Sequence, residues 1–231
     1  MNMIDRIELF SSFDIAAVTL LLVLWAGIGW RIEHPSAKHP STSVLMADYR
    51  KAWMREMVTR QPRVFDAQVM AGLRQGTSFL ASTCVIALGG TLALIGNADR
   101  LAGVAEDIAF ADHHPAIVWE LKLIVVAIFI TNGFLKFIWA NRLFGYCSVL
   151  MAAVPNELDD PKAYHRAAQA AEINIAAARS FNRGLRSVYF ALTAAAWLAG
   201  AAPLAVAAII TFTVVWRREF ASHSRKILLD A

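Results

Sequence analysis

The chain has 231 residues, 58% apolar and 17% charged, with a net charge of +4 and a mean hydropathy of +0.48. Soluble domains run at about 45–50% apolar and about 25% charged, so this composition excludes an ordinary soluble globule and, with it, a disordered chain. Two cysteines exclude a small disulfide scaffold, and what remains is an integral membrane protein.

Taken in chain order, the first uncharged run is Ile15–Trp30. Arg6 stands against Asp5, Glu8 and Asp14, and no small-residue cleavage site follows Trp30. A secretory leader needs both features, so the expectation is a retained anchor spanning about 13–30. Residues 31–43, with Pro35 and Pro40, read as a loop. Ser43 is placed to cap a helix running to about Arg60, on which Met46, Tyr49, Trp53 and Met57 share a face and Lys51 and Arg55 lie opposite. That amphipathic basic helix fits an anionic leaflet or a neighbouring helix equally well. Gln61-Pro62 ends it, and a new helix from Arg63 leads into the second span, near 77–97. Residues 44–75 are thus expected to be helical and cytoplasmic.

The third span, near 117–139, lies between Trp119 and Trp139, whose separation of twenty residues gives about 30 Å of helix, the thickness of a hydrocarbon core. Helix continues towards Pro155, and Asp160-Pro161 signals a fresh start as cap and first helical residue. The Ala-rich stretch Ala167–Ala178 then favours close helix contact. Residues 140–186 are read as a second cytoplasmic helical segment. The closing uncharged run, Val188–Trp216, is long for one span, and Gly200-Ala-Ala-Pro203 offers a stop and restart within it. Counting Lys and Arg by segment gives one in 1–14, eight in 31–76, one in 97–115, six in 140–187 and four in 217–231. With the N-terminus outside, a hairpin of spans 186–200 and 203–217 puts 18 basic residues in the cytoplasm and two outside, as the positive-inside rule demands. The expected fold is therefore an all-α polytopic membrane bundle of about four to five spans, with helices extending into a cytoplasmic layer.

Few residues suggest chemistry. Lys122 and Lys136 share a face of the third span but lie near its two ends, so both are expected to reach the headgroups, as is Glu120 on the opposite face. Asn132, towards the inner half of the span, needs a polar partner. Interhelical glue is the preferred role and a pore lining the alternative. Ser82, Gly89, Ala93 and Gly96 form a small-residue face on the second span, suited to close approach within the chain or between subunits. Asp112-His113-His114 is a weak metal candidate without a second cluster at ligand spacing. No metal, cofactor, catalytic residue or nucleic-acid partner is expected.

Several blocks taken together carry a resemblance. They are Arg50-Lys51-Ala-Trp53 with Met57 and Asp66, then Phe79-Leu-Ala-Ser82-Thr83 leading to Ala87-Leu-Gly89-Gly90. Glu120-x-Lys122 and Phe137-x-Trp139-x-x-Arg142 follow, then Phe181-Asn182-x-Gly184-Leu-Arg186-x-x-Tyr189-Phe190 and Arg217-Arg218-Glu-Phe220. In this order the chain resembles, over roughly 10–222, the membrane-protein family catalogued as domain of unknown function 599, found in bacteria and plants. The resemblance implies a multi-span membrane protein and no activity. It also suggests that Asn182, Gly184 and Arg186 form a structural joint before the last apolar run. Two functions remain in view. One is a non-enzymatic inner-membrane interaction or assembly subunit, self-associated or bound to a larger membrane complex. The other is a homo-oligomeric ion channel or small-solute transporter.

Overall fold

A computed structural model describes residues 9–107 and 115–230, and the candidate Asp112-His113-His114 lies outside them. The elements are α1 (Ser12–Glu33), α2 (Thr42–Met57), α3 (Val64–Ile95), α4 (Ala98–Asp107), α5 (Ala116–Ala152), α6 (Lys162–Ala195), a 3-10 turn (Ala196–Ala199), α7 (Ala201–Phe220) and α8 (His223–Leu229). There is no strand among the described residues, and the protein is an all-α helical bundle. α1, α3, α5 and the helix from Ala201 are long and apolar enough to cross a membrane. At 37 residues α5 is about 55 Å long, nearly twice a hydrocarbon core.

The chain divides into two compact units: Met1–Arg31, Cys84–Gly133 and Leu185–Arg217 in the first, and Ile32–Thr83, Phe134–Gly184 and Arg218–Ala231 in the second. The first has a core of large apolar side chains, with Leu21, Ile28, Phe129, Phe190 and Leu204 buried. Trp25 meets Phe129 edge-on at 5.3 Å, and Phe129 stacks with Phe190 at 6.4 Å. Gly200 sits at φ 114, a left-handed conformation that a side chain would strain. On either side of it, Thr193 and Thr211 share a hydroxyl hydrogen bond of 2.7 Å. Two residues so far apart on the chain meet only if α7 runs back along the end of α6, so the chain reverses at Gly200. α4 follows α3 after a short turn, and its Ala98 and Ala102, one turn apart, bury against Trp119.

The second unit is built on small residues and methionines. Ala163, Ala167, Ala170 and Ala177 recur at three- and four-residue steps on α6, all nearly or wholly inaccessible. They pack in one cluster with Met54, Met57, Phe144, Cys147 and Met151. α6 starts as the Asp-Pro pair dictates, with Asp160 Oδ1 accepting from the Lys162 N–H at 2.7 Å. α2 starts two residues before the sequence expectation. Its cap is Ser41, which accepts from the Val44 N–H and donates to the Ile32 carbonyl, whereas Ser43 turns to the Glu219 carboxylate. The inward face of α2 also differs from the apolar stripe. Met54 and Met57 are buried, but Met46 and Tyr49 are exposed, because the helix is turned to carry Arg50 inwards.

Candidate functional site

In the first unit, the polar groups converge at the start of α1. Ser11 caps the helix, accepting from the Asp14 N–H, while Asp14 Oδ2 accepts from the Ser11 N–H and hydroxyl at 3.2 and 2.6 Å. The other oxygen, Oδ1, accepts from the Trp197 indole N–H at 2.7 Å. Lys122 Nζ lies 5.1 Å from the Trp119 ring centre and 5.8 Å from that of Trp197, and it feels the Asp14 charge. Lys122 is only 6% exposed. This corrects the expectation that Lys122 extends to the headgroups: two indole faces and a carboxylate hold the ammonium inside the protein, where cation–π attraction strengthens as water is removed. Trp119, expected at the membrane surface, is buried for the same reason, whereas Trp30 and Trp139 stay exposed. Lys122 is the buried charge of this cluster, while Asp14 is half-buried.

In the second unit, Asn174 interrupts the alanine stripe of α6 and is fully buried. Its side-chain oxygen accepts from Arg50, and its amide donates to Cys147 Sγ at 3.6 Å; Cys147 in turn donates to the Ala170 carbonyl at 3.3 Å. Burial lowers the pKa of the Arg50 guanidinium from its ordinary value. A second buried group, Asp66, accepts through Oδ1 from the Trp53 indole at 2.7 Å and from Arg60 at 2.5 Å. The polar residue inside a small-residue repeat was the available signal for Asn174. Asp66 gave no periodic signal, since it stands alone in the first turn of α3.

The sequence candidates fall at separate places. Asn132 is half-buried, and its side chain makes no hydrogen bond among the described residues. Glu120 and Lys136 are also half-buried, and the Lys136 carbonyl accepts from the Ser180 hydroxyl at 2.9 Å. The three do not join Lys122 in one cluster. In the joint, Gly184 is a position of close approach: a Cβ there would lie 2.8–3.0 Å from the Phe137 ring. Asn182 donates to Ser43 Oγ at 3.3 Å, and Arg186 is buried with its guanidinium 3.8 Å from where a Gly29 Cβ would stand.

Ser82, Gly89 and Ala93 are exposed on α3, and Gly96 is exposed in the turn just past its end. The helix buries Thr77, Ala81, Cys84 and Thr91 instead, a face turned roughly 130° from the small-residue face. A Cβ at Gly89 or Gly90 would meet nothing within 4 Å. Large apolar side chains flank the stripe, among them Phe79 and Ile86 at 69% and 76% exposure.

The family described as "Protein of unknown function, DUF599" matches the chain over residues 16–224. No curated protein and no solved structure matches it.

Proposed function

The chain belongs to the DUF599 family, whose description assigns no activity, and from that premise we propose that it is a non-catalytic association subunit of a membrane assembly, joined through the outward face of α3. The observation that carries this reading is the pair Gly89-Gly90. Each glycine costs a helix about 1 kcal/mol relative to alanine, and among the described residues nothing approaches closely enough to require either. Lipid tails do not require glycine. A second helix does, because small residues let two backbones meet and so maximise van der Waals contact in a medium without a hydrophobic driving force. The most apolar stretches of α3 and of the helix from Ala201 are each 17% buried within the chain, against 44% for α5, so α3 has room for a partner and its glycine pair distinguishes it from the last helix. The partner favoured is a second copy of this chain.

Light scattering of the purified full chain in mild detergent tests the reading. The expected protein mass is a multiple of 25.4 kDa that falls to the single-chain value with Gly89→Leu. A single-chain mass, with no protein co-purifying from native membranes, would contradict it.

The orientation is part of the same proposal: N-terminus outside, basic segments and tail in the cytoplasm, and α2 beside an anionic leaflet of the inner membrane. It rests on the lopsided distribution of Lys and Arg. A cysteine placed at Ser224 should be shielded from an impermeant reagent outside the cell, and labelling there would reverse the assignment. The channel or transporter reading draws on Asn132, half-buried in α5 without a hydrogen-bond partner among the described residues. Liposome flux lost on Asn132→Leu would establish it in place of the association role.

A further inference from the structure

The second unit contains an open cavity of about 830 Å³ that none of the polar clusters uses. Its size is that of a small-molecule site. Its walls are the Gln61-Pro62-Arg63 link, one face of α3 (Ala67, Met70, Ala71, Arg74) and the last turns of α5. Met57, Met70 and Met151 close its floor but are themselves buried, so the accessible apolar wall is Ala67, Ala71 and Ala152. The charge is one-sided, since Arg63 and Arg74 line the cavity and no Asp or Glu does.

The two arginines differ in a way that suits binding. Arg63 is fixed: Nη1 donates to the Val154 carbonyl at 2.7 Å and Nη2 to that of Pro155 at 2.8 Å, while its buried Nε–H has no acceptor. Arg74 is exposed and makes no hydrogen bond or ion pair among the described residues. Arg60, nearby in sequence, is by contrast held by Asp66. The free Arg74 guanidinium beside an alanine wall fits an anionic headgroup, because guanidinium matches phosphate oxygens in pairs. The source follows from position. Arg74 stands three residues before the uncharged run Thr77–Gly96, about 4.5 Å of helix rise from where α3 becomes membrane-compatible. Basic pockets at that level are where anionic headgroups are recognised.

We propose that this cavity binds the headgroup of one anionic phospholipid from the adjoining leaflet, its phosphate on Arg74 and its acyl chains in the hydrocarbon alongside α3. The inference is independent of the α3 association face, since it rests on different residues and on binding rather than mass.

Native mass spectrometry of the full chain tests it. The chain is stripped of lipid and re-equilibrated in nanodiscs of equal phosphatidylglycerol and phosphatidylcholine. The expected result is one phosphatidylglycerol retained per chain, preferred about tenfold or more over phosphatidylcholine. Arg74→Gln should lower retention about tenfold, the effect of one lost charge-assisted contact. Ala71→Trp, which fills the cavity and leaves both arginines in place, should lower it as much. Arg63→Gln is not the deciding variant, because Arg63 also holds the 154–155 backbone. Equal retention of phosphatidylcholine would overturn the proposal, as would retention unchanged by Arg74→Gln and Ala71→Trp. Displacement by excess inorganic phosphate would reduce the site to a simple anion site, and tighter retention of free palmitate would reassign it to a fatty acid; either result overturns the phospholipid.

Discussion

Two stripes of small residues in this chain have opposite fates. On α6, Ala163, Ala167, Ala170 and Ala177 are buried against methionines and Phe144, so the close approach that alanine permits is used within the chain. On α3, Ser82, Gly89 and Ala93 repeat at comparable spacing, with Gly96 in the turn that follows, and all four are exposed. Residue type alone does not distinguish the two, since each keeps a helix surface thin. What separates them is what lies opposite. In α6 the stripe is completed by Asn174, which meets Arg50 and Cys147 and fixes how α2 and α5 pack on it. In α3 the opposite face does the packing, and the thin face has nothing against Gly89 or Gly90 among the described residues.

Substitutions can break this comparison, beginning with the tightest contact. Gly184→Leu drives a side chain into Phe137, which is itself buried and packed on Phe181 at 5.6 Å. The expected loss is about 3 kcal/mol, at the upper end for overpacking a core, read as a large fall in the unfolding temperature of the detergent-solubilised chain. Partial rescue by Phe137→Leu would place the fault in that contact.

Asn174→Leu comes next. It leaves the Arg50 guanidinium without its acceptor, at about 2–3 kcal/mol. Removing both groups as Arg50→Met with Asn174→Leu should cost less than Asn174→Leu alone. A double-mutant cycle with zero coupling would show that the two side chains do not act together.

In the first unit, Trp197→Phe keeps the ring above Lys122 but removes the donor to Asp14, for about 1 kcal/mol. In an Asp14→Ala background, which lacks the acceptor, Trp197→Phe should leave thermal unfolding unchanged if the hydrogen bond is the whole effect.

The smallest effect on stability, and the most telling in sign, is Gly89→Leu. It replaces a poor helix former with a good one at an open position, so the isolated chain should gain up to about 1 kcal/mol while association weakens. A loss of stability in the monomer would mean that the face is packed within the chain.

Much of the architecture is legible from sequence because hydrocarbon thickness and uncharged runs are commensurate, and because Asp160-Pro161 and Gly200 act locally on the backbone. What hydropathy averages away is direction. Lys122 reads as a lysine near the end of a span, and only the approach of Trp197 and Asp14 from elsewhere in the chain decides that it is buried. The same holds for α2, where apolar periodicity points to Met46 and Tyr49, but Asn174 on a distant helix draws Arg50 inwards and turns the helix. Ser43 reads as the cap in sequence, but Glu219, some 180 residues on, takes its hydroxyl, and Ser41 caps the helix instead. The α3 stripe was recognisable as a packing face, but its burial state depends on the whole bundle and could not be read from spacing.

The central claim, that the thin face of α3 meets another helix, is tested most directly by disulfide trapping in native membranes. Ala93→Cys is introduced into the full chain with Cys84→Ala and Cys147→Ser, so that it is the sole thiol. Mild oxidation should yield an adduct at twice the chain mass, and Gly89→Leu in the same background should suppress it. Absence of any adduct, with a control cysteine on the buried face at Ala81 behaving identically, would contradict the claim and leave α3 facing only lipid.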